Sequence, residues 1–209
     1  MRFIFDMVGV LKTFQTTASV VIHMRHNELV NITANLTSIV CKDVEKEPIL
    51  QKRFDHDLDL RADIALRGFW QRQQKAFLDV RVFSPFARCY RSQNLASVMR
   101  LMEKEKKRKY VNRILEQENG TFTPLVFSSN GGLSKETKRF YVRLSELLSE
   151  KNKCEFSDTY FYVKRKISFS LIRSAVVCLR GSRSWRHQRQ PAFNNTTADA
   201  EITKLIYNI

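Results

Sequence analysis

Two short segments, 60–67 and 76–83, most constrain what this chain can fold into. Every second residue in each segment is apolar, which predicts two β-strands that each bury one face. The polar stretch between them begins at Gly68 and is short enough to turn the chain as a hairpin. The buried face would comprise Leu60, Ala62, Ile64 and Leu66 on the first strand, and Ala76, Leu78, Val80 and Val82 on the second.

Each predicted strand carries one aspartate on the face opposite to its apolar residues. In a hairpin, Asp63 and Asp79 can therefore emerge on the same side of the sheet, with Arg81 beside Asp79. Two carboxylates on rigid strands provide hard oxygen ligands for Mg²⁺ or Mn²⁺. Such an ion can activate a water molecule and offset the charge of a phosphate. The alternative is that both acids face solvent and have no chemical role.

The rest of the chain predicts helices around this hairpin and one further strand. Apolar residues at helical spacing, serine N-caps and a closing Asn119-Gly120 pair mark these helices. In order, we predict a helix over 25–43, an extended piece at 49–50, the hairpin, a helix over 95–118, a strand over 122–127, and helices after Ser134 and Ser157. This order favours an α/β fold around a small mixed sheet.

The same features divide the chain into four predicted parts. Residues 25–150 would form the core, and residues 151–182 a C-terminal helical extension. We interpret residues 1–24 as an N-terminal remnant of mixed character. Residues 183–209 predict a loose polar tail, in which Ile202, Leu205 and Ile206 could form a short docking helix.

The charge of the chain favours a polyanionic partner. Its 209 residues include 36 Lys and Arg against 21 Asp and Glu, which gives a net charge of +15. Nucleic acid is the partner that such a surplus best fits, because each neutralised phosphate releases counterions. An anionic membrane surface is the second choice, but the longest apolar runs are too short to span a bilayer, and we expect no membrane association.

The cysteines and the N-terminus indicate an intracellular protein. The four cysteines, at 41, 89, 154 and 178, form no CxxC pair, so neither a structural zinc site nor a disulfide framework is expected. The N-terminus starts like a signal peptide, but Asp6 breaks its apolar run and no clean cleavage site follows. Because DNA is the expected partner, we expect the protein to be located in the nucleus.

The predicted long helix places two lysines where they could reach the sheet. Lys106 and Lys109 continue an apolar stripe along the helix, so their side chains are expected to point inward. A lysine beside a metal-activated water can orient it or offset phosphate charge. The alternative is a solvated basic stretch that contacts a DNA backbone. The stripe consists of Leu95, Met99, Met102, Lys106, Lys109 and Arg113.

Several short motifs occur in an order that resembles a known family. They are Arg25-His26-Asn27-Glu28, Glu47-Pro48, Arg61-Ala62-Asp63, Asp79-Val80-Arg81-Val82, Lys106-Lys107-Arg108-Lys109-Tyr110 and Phe122-Thr123-Pro124-Leu125-Val126-Phe127. Together they resemble the PD-(D/E)xK restriction-endonuclease-like domain of non-LTR retrotransposon polyproteins, over residues 25–150. The resemblance implies an αβββαβ core with a mixed sheet flanked by helices, here followed by C-terminal helices. It also implies a metal-dependent DNA endonuclease that uses Mg²⁺ (or Mn²⁺).

The resemblance assigns roles to individual residues. Metal would be held by Asp63 and Asp79, with Glu28 from the first helix as a third ligand. Catalysis would further involve Lys106, Lys109 and Arg81. DNA is the implied partner, with RNA as a further candidate. Its expected contacts are Arg25, His26, Arg61, Lys107, Arg108 and Tyr110.

Two departures from the family pattern keep a second interpretation open. Arg81 stands where the wider superfamily has lysine, and arginine cannot serve as a general base. The Cys/His zinc motif that the family carries upstream of Arg25 is missing, because residues 1–22 contain no cysteine. The alternative is therefore an inactive, basic nucleic-acid-binding remnant of the same fold, left from a mobile element.

Overall fold

The computed structural model describes residues 23–51 and 60–181. The predicted N-terminal remnant up to residue 22 and the polar tail with its docking helix lie outside the described residues. The described residues form ten elements, numbered in chain order. They are α1 (23–40), β1 (Lys42–Lys46), β2 (Ile49–Gln51), β3 (Leu60–Arg61), β4 (Ile64–Arg67), β5 (Lys75–Phe83), α2 (Leu95–Glu118), β6 (Thr121–Ser128), α3 (Lys135–Asn152) and α4 (Phe156–Gly181).

The main sheet is mixed and has the strand order β1-β4-β5-β6. β1, β4 and β5 are antiparallel neighbours, and β6 runs parallel to β5 after the chain crosses over through α2. The predicted hairpin is present, with Ile64 opposite Leu78 and Arg67 opposite Lys75. A separate two-stranded ribbon joins β2 to β3. The predicted α/β class is thus confirmed as a mixed sheet with four helices in the described part of the chain.

Alternate residues of β5 enter two different packing layers. Leu78 and Val80 pack with α1, α3 and α4 on one face of the sheet. Phe77 and Phe83 face the other side, where residues of α2 cover them. Burying one large apolar side chain contributes roughly 1.5–3 kcal/mol, so both layers stabilise the position of β5 between the helices.

Local capping signals set the bounds of α2 and α3. Asn94 caps α2 by accepting a hydrogen bond from the Ala96 amide, and Asn119 ends it in the left-handed conformation, as predicted. Ser134 caps α3 as predicted, and its side chain accepts from the Thr137 amide. The Thr137 hydroxyl in turn accepts a 2.8 Å hydrogen bond from the Val126 amide. This contact joins the start of α3 to β6.

The first strand is an element that the sequence pattern did not predict. The helix expected over 25–43 ends at residue 40, and β1 follows it directly. Val44 is the one apolar residue of β1, and the strand lies mostly exposed at the sheet edge. Pairing with β4 therefore decides its conformation rather than local periodicity.

The strand predicted over 60–67 is broken in two, and the expectation of one continuous strand is wrong. Between β3 and β4, the Ala62 amide donates to the Pro48 carbonyl, and the Glu47 amide donates to the Asp63 carbonyl. The chain passes here from the small ribbon to the main sheet. The alternation of side chains between the two faces of a strand therefore does not continue from β3 into β4. Ala62 consequently packs with Phe77 on the α2 side instead of joining the expected apolar face.

Candidate functional site

Asp79 lies in the middle of β5, buried beneath α2. Only 3% of the residue is exposed, so a solvent-facing Asp79 is excluded. Burial raises the pKa of its carboxyl group, because the charged form is poorly solvated there. Lys106 opposes this increase, and the nearby Asp63 charge adds to it. A buried carboxylate with a raised pKa is the kind of group that clusters at functional sites.

Lys106 reaches Asp79 from α2. Its Nζ lies 2.5 Å from Asp79 Oδ2, so the side chain points toward the sheet, as its place on the helix stripe predicts. Asp79 Oδ2 is itself fully buried, so the Lys106 ammonium group is the positive charge that compensates it. About a fifth of the Lys106 side chain is exposed, at 21%. The lysine therefore connects the buried carboxylate to the surface.

Asp63 lies where the chain enters β4, near Asp79. Its amide donates to the Leu78 carbonyl at 3.0 Å, although Leu78 pairs with Ile64, so the ladder is irregular at this point. Asp63 Oδ2 accepts a 2.5 Å hydrogen bond from the Val80 amide. The side chain thus replaces the backbone acceptor that β5 loses where β4 begins. This bond orients the Asp63 carboxylate toward the centre of β5.

His26 contacts the same oxygen of Asp63 from the first turns of α1. Its Nε2 lies 3.1 Å from Asp63 Oδ2, and its Nδ1 lies 3.2 Å from the Asn27 side-chain oxygen. The hydrogen bond to Asp63 raises the pKa of His26 above its usual value, although burial opposes this. His26 was expected to contact nucleic acid. In the structure it holds one of the two aspartates.

Tyr110 and Lys109 form the wall of the site on the α2 side. Tyr110 is buried, stacks on Phe122 with ring centroids 4.9 Å apart, and donates a 2.9 Å hydrogen bond to the Arg61 carbonyl. Burial and the Asp79 charge raise the pKa of its hydroxyl, which stays protonated. Lys109 is exposed, and its Nζ donates to the Tyr110 hydroxyl at 3.2 Å. Lys106, rather than Lys109, is thus the lysine in contact with Asp79.

Glu28 points away from the aspartate pair. It lies 3.5 Å from Arg173 of α4, and burial raises the pKa of its carboxyl group while Arg173 opposes the increase. Across residues 23–51 and 60–181, no group of three or more His, Cys, Asp or Glu side chains is arranged to hold a metal ion. In the structure Glu28 pairs with Arg173, and its assignment as a third metal ligand stays a prediction.

The remaining predicted contacts lie around the site rather than in it. Arg81 extends from β5 to Glu105 of α2, with Nη1 2.6 Å from the Glu105 carboxylate. This partner was not foreseen, because only the packing of α2 on β5 brings it near. Lys107 pairs with Glu136 at 2.9 Å, Arg25 donates to Ser174 at 3.1 Å, and Arg61 and Arg108 are exposed.

The donors at the centre of the site fit Mg²⁺. Asp79 Oδ2 is a buried carboxylate oxygen in contact with Lys106, and the Asp63 carboxylate is near enough to raise the pKa of Asp79. Mg²⁺ commonly takes one or two protein carboxylates and completes its shell with waters and substrate phosphates, so two acids suffice. Without such an ion, the positive charge beside Asp79 comes from Lys106.

Comparison of the full sequence with protein-family models and with curated proteins finds no match. Within the described residues, no helix is both long and apolar enough to cross a membrane. The contacts of Asp63 and Asp79, the net charge and the order of motifs are therefore the features that indicate a function.

The hydrogen bond between His26 and Asp63 is expected to make stability depend on pH. Because the folded-state pKa of His26 is raised, its stabilisation is complete below about pH 6.5 and is lost as pH rises through the raised value. His26→Gln should therefore be less stable than wild type by about 1 kcal/mol at pH 6 and nearly equal at pH 8.5. Urea unfolding at both pH values measures this difference.

His23→Gln is the matched control for that measurement, since His23 is exposed in the first turn of the same helix. Its stability should follow wild type at both pH values. A His26→Gln deficit that stays constant from pH 6 to 8.5 would show that the ring acts by packing alone.

Proposed function

We propose that this chain is a metal-dependent DNA endonuclease domain with a restriction-endonuclease-like core, derived from a mobile element. Asp63 and Asp79 hold Mg²⁺ or Mn²⁺, and Lys106 acts beside them. The observation that carries the proposal is the contact between Lys106 and the buried Asp79 carboxylate. Removing the Asp79 carboxylate from water costs several kcal/mol, and Lys106 offsets part of that cost.

The order of the main-sheet elements supports the fold assignment. α1, three antiparallel strands, α2 and a final parallel strand follow one another as an αβββαβ core requires. The two aspartates come from the second and third main-sheet strands or their immediate start, which matches the motif order of the resembled family. The β2–β3 ribbon and helices α3 and α4 are additions around this core.

The residues of the chain have separable roles in phosphodiester hydrolysis. Bound Mg²⁺ supplies charge neutralisation and an activated water. His26 and the Val80 amide keep the Asp63 carboxylate in one orientation. Lys106 is placed to offset charge on the attacked phosphate or to orient the nucleophile. Arg81 cannot serve as a general base, because arginine is never deprotonated. Arg81 lies at the rim and can exchange Glu105 for a phosphate.

The net charge of +15 supports DNA as the substrate. Exposed basic residues such as Arg108 follow the outer surface of α2, next to the helix face that covers Asp79. Contacts of this kind neutralise phosphates without reading sequence, so affinity should fall steeply with salt. RNA would be bound by the same charges, but the proposal commits to DNA as the strand that is cut.

Two ion pairs favour a second function, that of a catalytically inactive nucleic-acid-binding module. Lys106 already balances the charge of Asp79, and Glu28 faces α4 instead of completing a ligand set. In that case the Asp79–Lys106 pair only joins α2 to the sheet. Incubating the purified protein with supercoiled plasmid and Mg²⁺ or Mn²⁺ separates the two functions. Nicking that EDTA stops is expected of the endonuclease, and intact plasmid with both ions contradicts it.

Mg²⁺ is expected to raise the melting temperature of the protein. At an ion concentration ten times the dissociation constant, binding to the folded state adds about 1.4 kcal/mol. For a chain of this size, that corresponds to roughly 3–5 °C, measurable by differential scanning fluorimetry. Asp79→Asn should lose the increase, because half of the carboxylate pair is gone.

Asp158→Asn is the control for this shift, since Asp158 lies in the first turn of α4, outside the aspartate pair. It should keep the full Mg²⁺ response. If Asp79→Asn and Asp158→Asn respond to Mg²⁺ alike, the ion binds elsewhere and the assigned ligands are incorrect.

A further inference from the structure

The segment between β5 and α2 presents one aromatic ring to solvent. Phe86 is 71% exposed, the highest value among the large apolar side chains of the described residues. Arg88 and Arg91 are exposed on the same short segment. A single exposed apolar residue is common on protein surfaces, so its setting decides whether it has a role.

The setting of Phe86 is an ordered series of turns. The Ala87 amide donates to the Ser84 carbonyl at 3.2 Å, and the amides of Tyr90 and Arg91 donate to the Ala87 carbonyl at 2.9 and 3.0 Å. Tyr90 anchors the segment by packing edge-on against Phe83, with ring centroids 5.7 Å apart. The backbone around Phe86 is thus held in place, although its ring takes no part in a core cluster.

The segment extends the line of residues that begins at the proposed site. β5 carries Asp79, then Arg81 on the same face, and ends at Phe83. A strand rises about 3.3 Å per residue, so Phe83 lies roughly 13 Å beyond Asp79. Nucleotides in one strand of duplex DNA are about 3.4 Å apart along the helix axis, so a strand that follows β5 from the aspartate pair to Phe83 covers about four nucleotides, and Phe86 lies in the segment that comes next.

We propose that Phe86, Arg88 and Arg91 form a contact site for unpaired nucleotides next to the cleavage site. The Phe86 ring stacks on an exposed base, and the two guanidinium groups bind the flanking phosphates. The inference rests on the proposed function, since it assumes that DNA lies across the aspartate pair. It narrows the substrate class to DNA with a single-stranded or opened region, because stacked base pairs of an intact duplex do not offer a free base face.

Binding measurements without divalent metal test this proposal separately from cleavage. In EDTA, fluorescence anisotropy would compare a single-stranded oligonucleotide, a duplex with an unpaired bubble, and the fully paired duplex. Phe86→Ala should weaken binding of the first two by about 5- to 150-fold, the range that corresponds to one stacked base. Binding of the paired duplex should change by less than threefold, and Phe86→Trp should restore the affinity for unpaired DNA.

Phe161→Ala provides the matched control. Phe161 is also an exposed phenylalanine, but it belongs to α4, which packs on the opposite side of the sheet from α2. This variant should bind all three DNA forms like wild type. Equal binding of single-stranded DNA by wild type and Phe86→Ala overturns the proposal, and so does an equal loss for paired and unpaired DNA.

These measurements distinguish failure of the Phe86 contact site from failure of the endonuclease assignment. If Phe86→Ala no longer binds unpaired DNA tightly while wild type cuts no DNA with Mg²⁺ or Mn²⁺, the contact site is supported and the endonuclease assignment fails. If wild type cuts DNA and Phe86→Ala binds and cuts every form equally well, the endonuclease stands and the contact site is refuted.

Discussion

Replacing Asp79 by asparagine is expected to abolish Mg²⁺-dependent nicking while making the domain more stable at neutral pH. Loss of one charged group at the reacting centre typically reduces turnover by about 100- to 1,000-fold. Stability should rise by about 0.5–2 kcal/mol, because asparagine removes a charge that is buried at 3% exposure. Lys106 then loses its partner, but its side chain is 21% exposed and can turn to solvent.

The gain in stability from Asp79→Asn should depend on pH in a defined direction. The folded-state pKa of Asp79 is raised, so the carboxyl group favours folding below its unfolded value near pH 4, and this contribution is lost as pH rises through the folded value. The variant should therefore exceed wild type at pH 7.5 and approach it near pH 4. Guanidinium unfolding at both pH values, together with plasmid nicking, measures the two effects.

Asp63→Asn is the informative comparison because Asp63 is held differently. Its carboxylate accepts hydrogen bonds from the Val80 amide and His26, so replacing it should lower stability as well as activity. Undiminished nicking by Asp79→Asn would exclude the proposed catalytic site. A large loss of stability in the same variant would show that the Asp79–Lys106 pair is structural.

Replacing Lys106 by methionine is expected to have the opposite effect on stability. The Asp79 carboxylate cannot reach solvent, so removing the ammonium group leaves a buried charge without compensation. Breaking a buried pair in this way costs about 3–5 kcal/mol, and partial exposure of Lys106 reduces the expected loss to about 2–3 kcal/mol at pH 7.5. Nicking should fall at least about 100-fold, because the positive charge beside the phosphate is lost.

The double variant Asp79→Asn with Lys106→Met tests whether the two residues act through each other. It should regain most of the stability lost in Lys106→Met, because no buried charge remains, and a coupling energy of about 1–3 kcal/mol is expected. Lys109→Met is the matched control: Lys109 is exposed on the same helix and contacts Tyr110. It should lose less than about 0.5 kcal/mol. Additive effects of the two site substitutions would contradict a direct pair.

The sign of these stability changes also separates the two proposed functions. A pair that serves only to join α2 to the sheet should make the domain less stable when either member is replaced. An endonuclease instead retains a destabilising carboxylate because Mg²⁺ and phosphate require it. An Asp79→Asn variant that is stable and binds DNA but cannot cut it would therefore be strong support for a catalytic role of Asp79. Loss of activity alone would be weaker support, because a destabilised variant would also lose activity.

Several parts of the fold follow from the sequence because their signals are local. The alternation around Gly68 predicts the β4–β5 hairpin, and Asn119 ends α2 because asparagine tolerates the left-handed conformation. Ser134 begins α3 for a similarly local reason. The inward direction of Lys106 also follows from helical periodicity, since its stripe includes the buried Met99 and Met102.

Contacts between segments that are distant in the sequence decide the rest of the fold and of the candidate site. β1 forms because β4 offers it a pairing edge, and the chain breaks at Ala62 because Pro48 and Glu47 bond to it there. No sequence period could show that Glu28 faces Arg173, that Arg81 meets Glu105, or that His26 holds Asp63. Strand alternation and the order of the motifs together predicted Asp63 and Asp79 as a pair. Their burial, their partners and the raised pKa of Asp79 depend on how α1 and α2 pack on the sheet, and packing is a property of the whole chain.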